Sequence, residues 1–562
     1  MNSGDNKRTN LRTGGELLVD TLRANQVDMA FCVPGESYLA ALDALHDAPE
    51  IDLVTCRQEG GAAMMADAYG KLTGRPGICF VTRGPGATNA SSGVHIAFQD
   101  STPMILFIGQ VGRSMRDREA FQEIDYRRMF GQMAKWVAEI DDAERVPEYV
   151  SRAFHTAMAG RPGPVVLALP EDMLRERAVS VAIDAAHRIQ AHPGEADMAA
   201  LRDRLTAAER PLVIVGGSGW NSQASADMEK FAEANHLPVA AAFRFQHLFD
   251  NRHDNYVGDV GIGINPKLAE RVKSADLLIA VGPRLGEMTT GGYGLLDIPV
   301  PKQDLVHVFA GAEELGRVYR PGLAINAGMR AFAQAAADME PVHGPWAEAT
   351  RTSRADYLAW TEPTEVPGDV NLGHIIGWLR DNLNEGSIVC NGAGNFSAWV
   401  HRFFRYTGFG TQLAPTSGSM GYGVPAAIGA KRLYPEKTVV CVAGDGDFMM
   451  TAQELATAAH HNIPAIIIIV NNGTFGTIRM HQERDYPNRV IATDLTNPDF
   501  MRYAEAFGAH GERVEKTADF AAAFERACDS GKPAIIELIT DPEAITPTAT
   551  LSGIRAAAEG QD

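Results

Sequence analysis

None of the apolar runs in this chain approaches the roughly 20 residues that a membrane-crossing helix needs, which argues against a membrane role. Cysteine is scarce: the 6 present, Cys32, Cys56, Cys79, Cys390, Cys441 and Cys528, lie mostly in apolar strand-like runs and never in CxxC spacing. They read as buried reduced thiols, not as a disulfide frame or a zinc site. Positive charge is also short. The 51 Lys and Arg against 70 Asp and Glu leave a formal net charge of −19, which disfavours nucleic acid and acidic membrane surfaces as partners. A local basic site could still hold an anionic cofactor. The opening MNSGDNKRTN lacks the apolar centre of a secretory signal and is followed by an amphipathic helix pattern, so a cytoplasmic protein is expected.

What remains is ordinary for a globular protein, with 45% hydrophobic and 22% charged residues. A chain of 562 residues exceeds what one core usually supports, and three domains are the natural first reading. A Gly-rich turn, a helical segment, a Pro and an apolar strand recur in Arg83–Gln110, in Val213–Phe243 and around Val439–Gly476. That order is the grammar of βαβ units. The expected fold is α/β, with three doubly wound parallel-sheet domains over residues 1–185, 190–342 and 365–562. One long doubly wound domain, or three unrelated ones, is the plainer alternative.

The stretch Val439–Gly476 carries the most chemistry. It reads as strand, acidic turn, helix, strand and polar turn, which places Asp445 and Asn472 at the C-terminal ends of neighbouring buried strands. Open α/β sheets bind ligands there. Gly444 and Gly446 let backbone approach a phosphate, and a helix from about Thr451 would offer free N–H groups. Asp445 would hold a cation, with the Asn472 amide oxygen and the Thr474 carbonyl as further ligands; such oxygens suit Mg2+. A lone GDG or NN is usually only a turn. Together, in this strand order, they point to a magnesium–diphosphate cradle.

GDG followed by NN after one helix and one strand is the signature of thiamine-diphosphate-dependent 2-oxo-acid decarboxylases and carboligases. The chain resembles that family from about Thr13 to Thr548, most of all the acetolactate (acetohydroxyacid) synthases, in the order pyrimidine-binding, central and diphosphate-binding domain. The resemblance implies thiamine diphosphate and Mg2+ as cofactors. It implies an enzyme that decarboxylates a 2-oxo acid such as pyruvate and ligates the resulting carbanion to an acceptor carbonyl, working as a homodimer or homotetramer with active sites between chains. Glu59, in VTCRQEGGAAMMADAYGKLTG, then matches the carboxyl that hydrogen-bonds the aminopyrimidine and drives its imino tautomer. Met420, in PTSGSMGYGVPAAIGA, matches the bulky residue that props the cofactor into a bent shape. Pro34 and Asn89 match turns that frame the pyrimidine, although PG and GPG taken singly are only turns. Asp447, Phe475, Gly476 and Thr477 fall with Gly444 and Gly446 on the diphosphate side. Phe121, Gln122 and Lys135 match a loop lining the substrate channel, and Gln110 is a further pocket residue.

Other positions depart from the synthase pattern. Met288 stands where the synthases place an arginine that grips the acceptor carboxylate, the bidentate contact arginine makes best. His481 replaces a tryptophan, and Asn395 and Phe396 replace a Gln and a His against the diphosphate. These changes leave a decarboxylase, an aldehyde lyase or a carboligase with another acceptor as alternatives. A catalytically silent nucleotide-binding or regulatory homologue is a further one, but it would have no need of Glu59, Asp445 and Asn472 together. The synthases also hold FAD in the central domain, and Gly216–Gly219 with Arg284 are compatible with a flavin or another nucleotide.

Overall fold

The computed structural model describes residues 11–181 and 183–560, so the polar opening segment lies outside them. By its internal contacts the chain divides into two units, Met1–Ile189 and Gln190–Asp562.

The first unit is built on six parallel strands: β1 (Met29–Cys32), β2 (Asp52–Thr55), β3 (Gly77–Val81), β4 (Met104–Gln110), β5 (Trp136–Glu139) and β6 (Pro164–Pro170). Their order is β2-β1-β3-β4-β6-β5. β4 (MILFIGQ) and β6 (PVVLALP) are buried at every position, the continuous apolar pattern of parallel strands covered on both faces. Two helices carry the residues of interest. α1 (Glu59–Thr73) starts where the Gln58 side chain accepts from Gly61 N at 3.0 Å and stops at Gly74 with φ 69°. α2 (Pro85–Asp100) starts on a Pro in its first turn. They approach closely at Gly93, where a Cβ would lie 2.4 Å from that of Ala63. Lys71 of α1 ties the pair, with Nζ 2.9 Å from Asp67 and 2.5 Å from Asp100, both buried. Burial works against its proton, yet the two carboxylates hold the Lys71 pKa above its ordinary value.

The second unit holds two more six-stranded parallel sheets. The central one comprises β7 (Pro211–Val215), β8 (Val239–Ala241), β9 (Tyr256–Asp259), β10 (Leu277–Val281), β11 (Asp304–Phe309) and β12 (Leu323–Asn326), ordered β9-β8-β7-β10-β11-β12. The last comprises β13 (Ile388–Asn391), β14 (Gln412–Leu413), β15 (Val439–Gly444), β16 (Ile466–Asn471), β17 (His510–Val514) and β18 (Ala534–Ile539), ordered β14-β13-β15-β16-β18-β17. Three parallel α/β sheets are therefore present, as expected. The repetition is strict only for the first and last, whose strand orders are identical; the central sheet has the dinucleotide-fold order, reversing between β7 and β10. Within this unit Asn251 links the two sheets, donating N–H to the Tyr406 carbonyl at 2.9 Å while its Oδ1 accepts from Tyr406 N at 3.0 Å.

Five cysteines are buried as expected; Cys528 instead is exposed on a helix. Among the described residues no helix is long and apolar enough to cross a membrane.

Candidate active site

β15 and β16 pair in parallel with Gly444 opposite Val470, so Asp445 and Asn472 leave adjacent strand ends on the same edge. Asp445 is 2% exposed, and its Oδ2 accepts from Asn497 Nδ2 at 2.7 Å and Gly473 N at 3.1 Å. Burial raises its carboxyl pKa, the cost that a bound cation would offset. Asn472 Oδ1 accepts from Thr474 N at 3.2 Å. Among the described residues no cluster of three or more His, Cys, Asp or Glu is placed to hold a metal. One carboxylate with amide and carbonyl oxygens is nevertheless a donor set for a hard cation that keeps phosphate and water ligands, so Mg2+ fits.

These residues open onto a cavity of about 240 Å3. It brings Gly444, Asp445, Gly446 and Asp447 together with Asn472 and the run Thr474–Thr477, and adds Asn395, Phe396 and Met420. Helix α3 (Gly476–Asp485) begins at its rim with no side-chain cap, so its first N–H groups and positive end suit a diphosphate. The helix expected from Thr451 is different. A short turn of helix spans Asp445–Met449, the next begins at Glu454, and the Thr451 hydroxyl donates to the Gly421 carbonyl at 2.7 Å.

Two residues expected against the diphosphate have bonds of their own. Asp447 Oδ1 accepts from Gly421 N at 2.9 Å and Ala393 N at 3.1 Å, fastening two loops, and burial pushes its carboxyl up to about 7. Asn395 Oδ1 accepts from the Thr477 hydroxyl at 2.9 Å, while its amide donates to the Ile545 carbonyl at 3.0 Å. Phe396 lays its ring beside Gly444, where a Cβ would stand 3.0 Å from the ring. His481 is half-buried on α3 but outside the cavity lining. Asn497, which holds Asp445, gave no signal in the sequence; it sits in irregular chain beyond α3, with no motif around it.

In the first unit the predicted residues collect at the C-terminal ends of β1 to β4. Glu59 is the first residue of α1, half-buried, and its Oε2 accepts from Asn89 Nδ2 of α2 at 2.9 Å. Pro34 is exposed in the turn after β1, next to Gly35, whose Cα lies against Thr82. Gln122 adopts φ 63° and packs on Gly84, and Phe121 beside it is 70% exposed. Gln110 is buried and anchors that loop, donating from Nε2 to the Ile124 carbonyl at 3.1 Å. Lys135 does not belong to this group. Its ammonium donates to the Thr156 and Ala159 carbonyls at 2.5 and 2.6 Å, capping the C-terminal end of helix Val146–Met158, where cations are favourable.

In the central sheet, Gly217 and Gly282 cross at the β7/β10 switch point so closely that a Cβ on Gly217 would lie 2.0 Å from the Gly282 carbonyl. Arg284 pairs with buried Glu314 at 3.4 Å. Packing accounts for these glycines, so nothing in this turn singles out a flavin. Met288 is half-buried in the following loop.

Three family models match in sequence order: thiamine pyrophosphate enzyme N-terminal TPP-binding domain over residues 12–129, central domain over 198–336, and C-terminal TPP-binding domain over 392–538. The chain belongs to the thiamine pyrophosphate enzymes. It is 33% identical over 519 residues to the acetolactate synthase large subunit of Parasynechococcus marenigrum (strain WH8102), covering 89% of this chain and 83% of that one. The acetolactate synthase isozyme 2 large subunit of Escherichia coli (strain K12) is 30% identical over 533 residues, 94% of this chain and 95% of its own. A probable acetolactate synthase large subunit of Methanocaldococcus jannaschii is 30% identical over 556 residues, covering 95% and 93%. As a thiamine pyrophosphate enzyme with these relatives, the chain is acetolactate-synthase-like over nearly its whole length.

Proposed function

We propose that this enzyme decarboxylates a 2-oxo acid such as pyruvate and joins the resulting carbanion to an acceptor carbonyl. The observation that carries the reading is the pair of adjacent strand ends bearing Asp445 and Asn472, opening on the cavity beside the uncapped start of α3. Asp445, Asn472 and the Thr474 carbonyl would hold Mg2+, and the N–H groups of Gly476 and Thr477 the diphosphate. Glu59, kept in place by Asn89, would hydrogen-bond the pyrimidine ring and share its proton there. Met420 would set the bend of the cofactor, and Phe121 and Gln122 would border the substrate. Bound thiamine diphosphate supplies the electron sink for loss of carbon dioxide.

The proposed domains are 1–185, 190–342 and 365–562, working as a cytoplasmic homodimer or homotetramer in which each site is completed by a second chain. A flavin on the central sheet is tested by the visible absorption of the purified protein; no step above passes through it. Met288 supports a second reading, a decarboxylase or a carboligase for an acceptor without a carboxylate, since no guanidinium stands at that position. Mass spectrometry of products from a panel of 2-oxo acids and aldehydes, with thiamine diphosphate and Mg2+ added, decides between them. Acetolactate from pyruvate supports the first reading and free acetaldehyde the second, while no turnover with any substrate would leave a silent homologue.

A further inference from the structure

Arg244 has no part in the reading above, yet its conformation is costly. It follows β8 in the central sheet, is 5% exposed, and adopts φ 64°, a left-handed region that a bulky side chain enters only where its surroundings force it. Its guanidinium carbon lies 4.9 Å from the Phe243 ring centroid, and Nη1 reaches across to the last sheet's domain to donate to the Pro415 carbonyl. That carbonyl also closes the turn before Met420, accepting from Gly418 N at 3.0 Å. The far end of the same loop is pinned as well. Gly421 N donates to Asp447 and its carbonyl accepts from Thr451. Between the pins, Gly418 and Gly421 take φ 68° and 81°, so the segment holding Met420 has little regular structure of its own to keep its shape.

We propose that Arg244 is a positioning residue: from the central domain it grips the carbonyl that closes the Pro415–Gly418 turn and so sets where Met420 meets the cofactor. The role given to Met420 rests on the proposed function, whereas the grip on the loop does not. This gives the central domain a task in catalysis that needs no ligand of its own.

The test uses Arg244→Met and Arg244→Lys in the full-length protein. Amide hydrogen exchange without cofactor should show Gly418–Gly421 exchanging about tenfold faster or more in Arg244→Met, as expected for loss of a charge-assisted hydrogen bond, with β7 and β10 amides unchanged. With thiamine diphosphate and Mg2+, the calorimetric affinity should stay within about threefold while exchange of the cofactor's reactive thiazolium proton slows by about tenfold to a hundredfold, the scale of small misplacements. Arg244→Lys should recover part of both. Unchanged loop exchange overturns the grip, and faster exchange spread evenly over the central sheet overturns it too, because Arg244 would then only staple domains. Fast thiazolium exchange in the face of a loosened loop overturns the link to Met420. If the wild-type protein binds no cofactor, the functional reading fails, but the loop measurement still decides the grip.

Discussion

The central and last sheets are both six-stranded, parallel and covered by helices, yet their strand ends are built differently. At the β15 and β16 ends the chain places a buried carboxylate, an amide and an uncapped helix start around a cavity. At the β7 and β10 ends backbone closes on backbone, with Gly217 against Gly282, and the nearby Arg284 is paired with Glu314. Parallel sheets of this kind offer a crevice where the strand order reverses, and in the last sheet polar side chains line a cavity at the strand ends.

The contrast breaks most visibly at Asp445. Asp445→Ala should weaken Mg2+-dependent binding of thiamine diphosphate a hundredfold or more, measured by calorimetry, because a ligand in direct contact counts for more than the roughly 10–100-fold of outer partners. Glu59→Gln should bind cofactor nearly as well but lose about a hundredfold in kcat, the size of general acid–base contributions; near wild-type turnover would contradict its role. At the Gly217–Gly282 crossing the effect should fall on the fold instead. Gly217→Ala forces a methyl into the Gly282 carbonyl at a positive φ, costing about 1–3 kcal/mol in denaturant unfolding, with cofactor affinity of the folded protein unchanged.

Two smaller effects sharpen the account. Met288→Arg should shift product ratios about tenfold towards a 2-oxo-acid acceptor, read in competition between pyruvate and an aldehyde, since one charge-assisted contact is gained. Helix α4 (Leu551–Glu559) is held against α3 by Arg555, which donates to buried Glu483 at 2.6 and 2.7 Å. The Arg555 hydrogen bonds lower the Glu483 pKa from 4.5 to about 2. A depressed carboxyl stabilises above its ordinary pKa and loses that contribution as pH falls through the folded value, so α4 amides should deprotect between about pH 4.5 and 2. Glu483→Gln should remove that acid transition.

The parallel sheets were legible because buried strands such as IIIIV leave unbroken apolar runs bounded by Gly and Pro. The placement of Asp445 and Asn472 at neighbouring strand ends was legible because strands adjacent in sequence are adjacent in the sheet, which turns a sequence spacing into a distance. The rest depends on partners that no spacing encodes. Asn497 reaches Asp445 from an irregular loop, and Lys135 looks free until Thr156 and Ala159 present their carbonyls to it. The helix expected from about Thr451 begins three residues later, at Glu454, and the Thr451 hydroxyl donates to Gly421 instead. The matching strand order of the first and last sheets, with a different one between, is likewise set by tertiary packing that the repeated turn–helix–strand pattern does not distinguish.

The most direct test of the central claim is titration calorimetry of the wild-type protein with thiamine diphosphate, with and without Mg2+. Saturable binding that needs the metal and disappears in Asp445→Ala is the expected result. Absence of binding by the metal-loaded wild type, or equal binding by Asp445→Ala, would contradict the account.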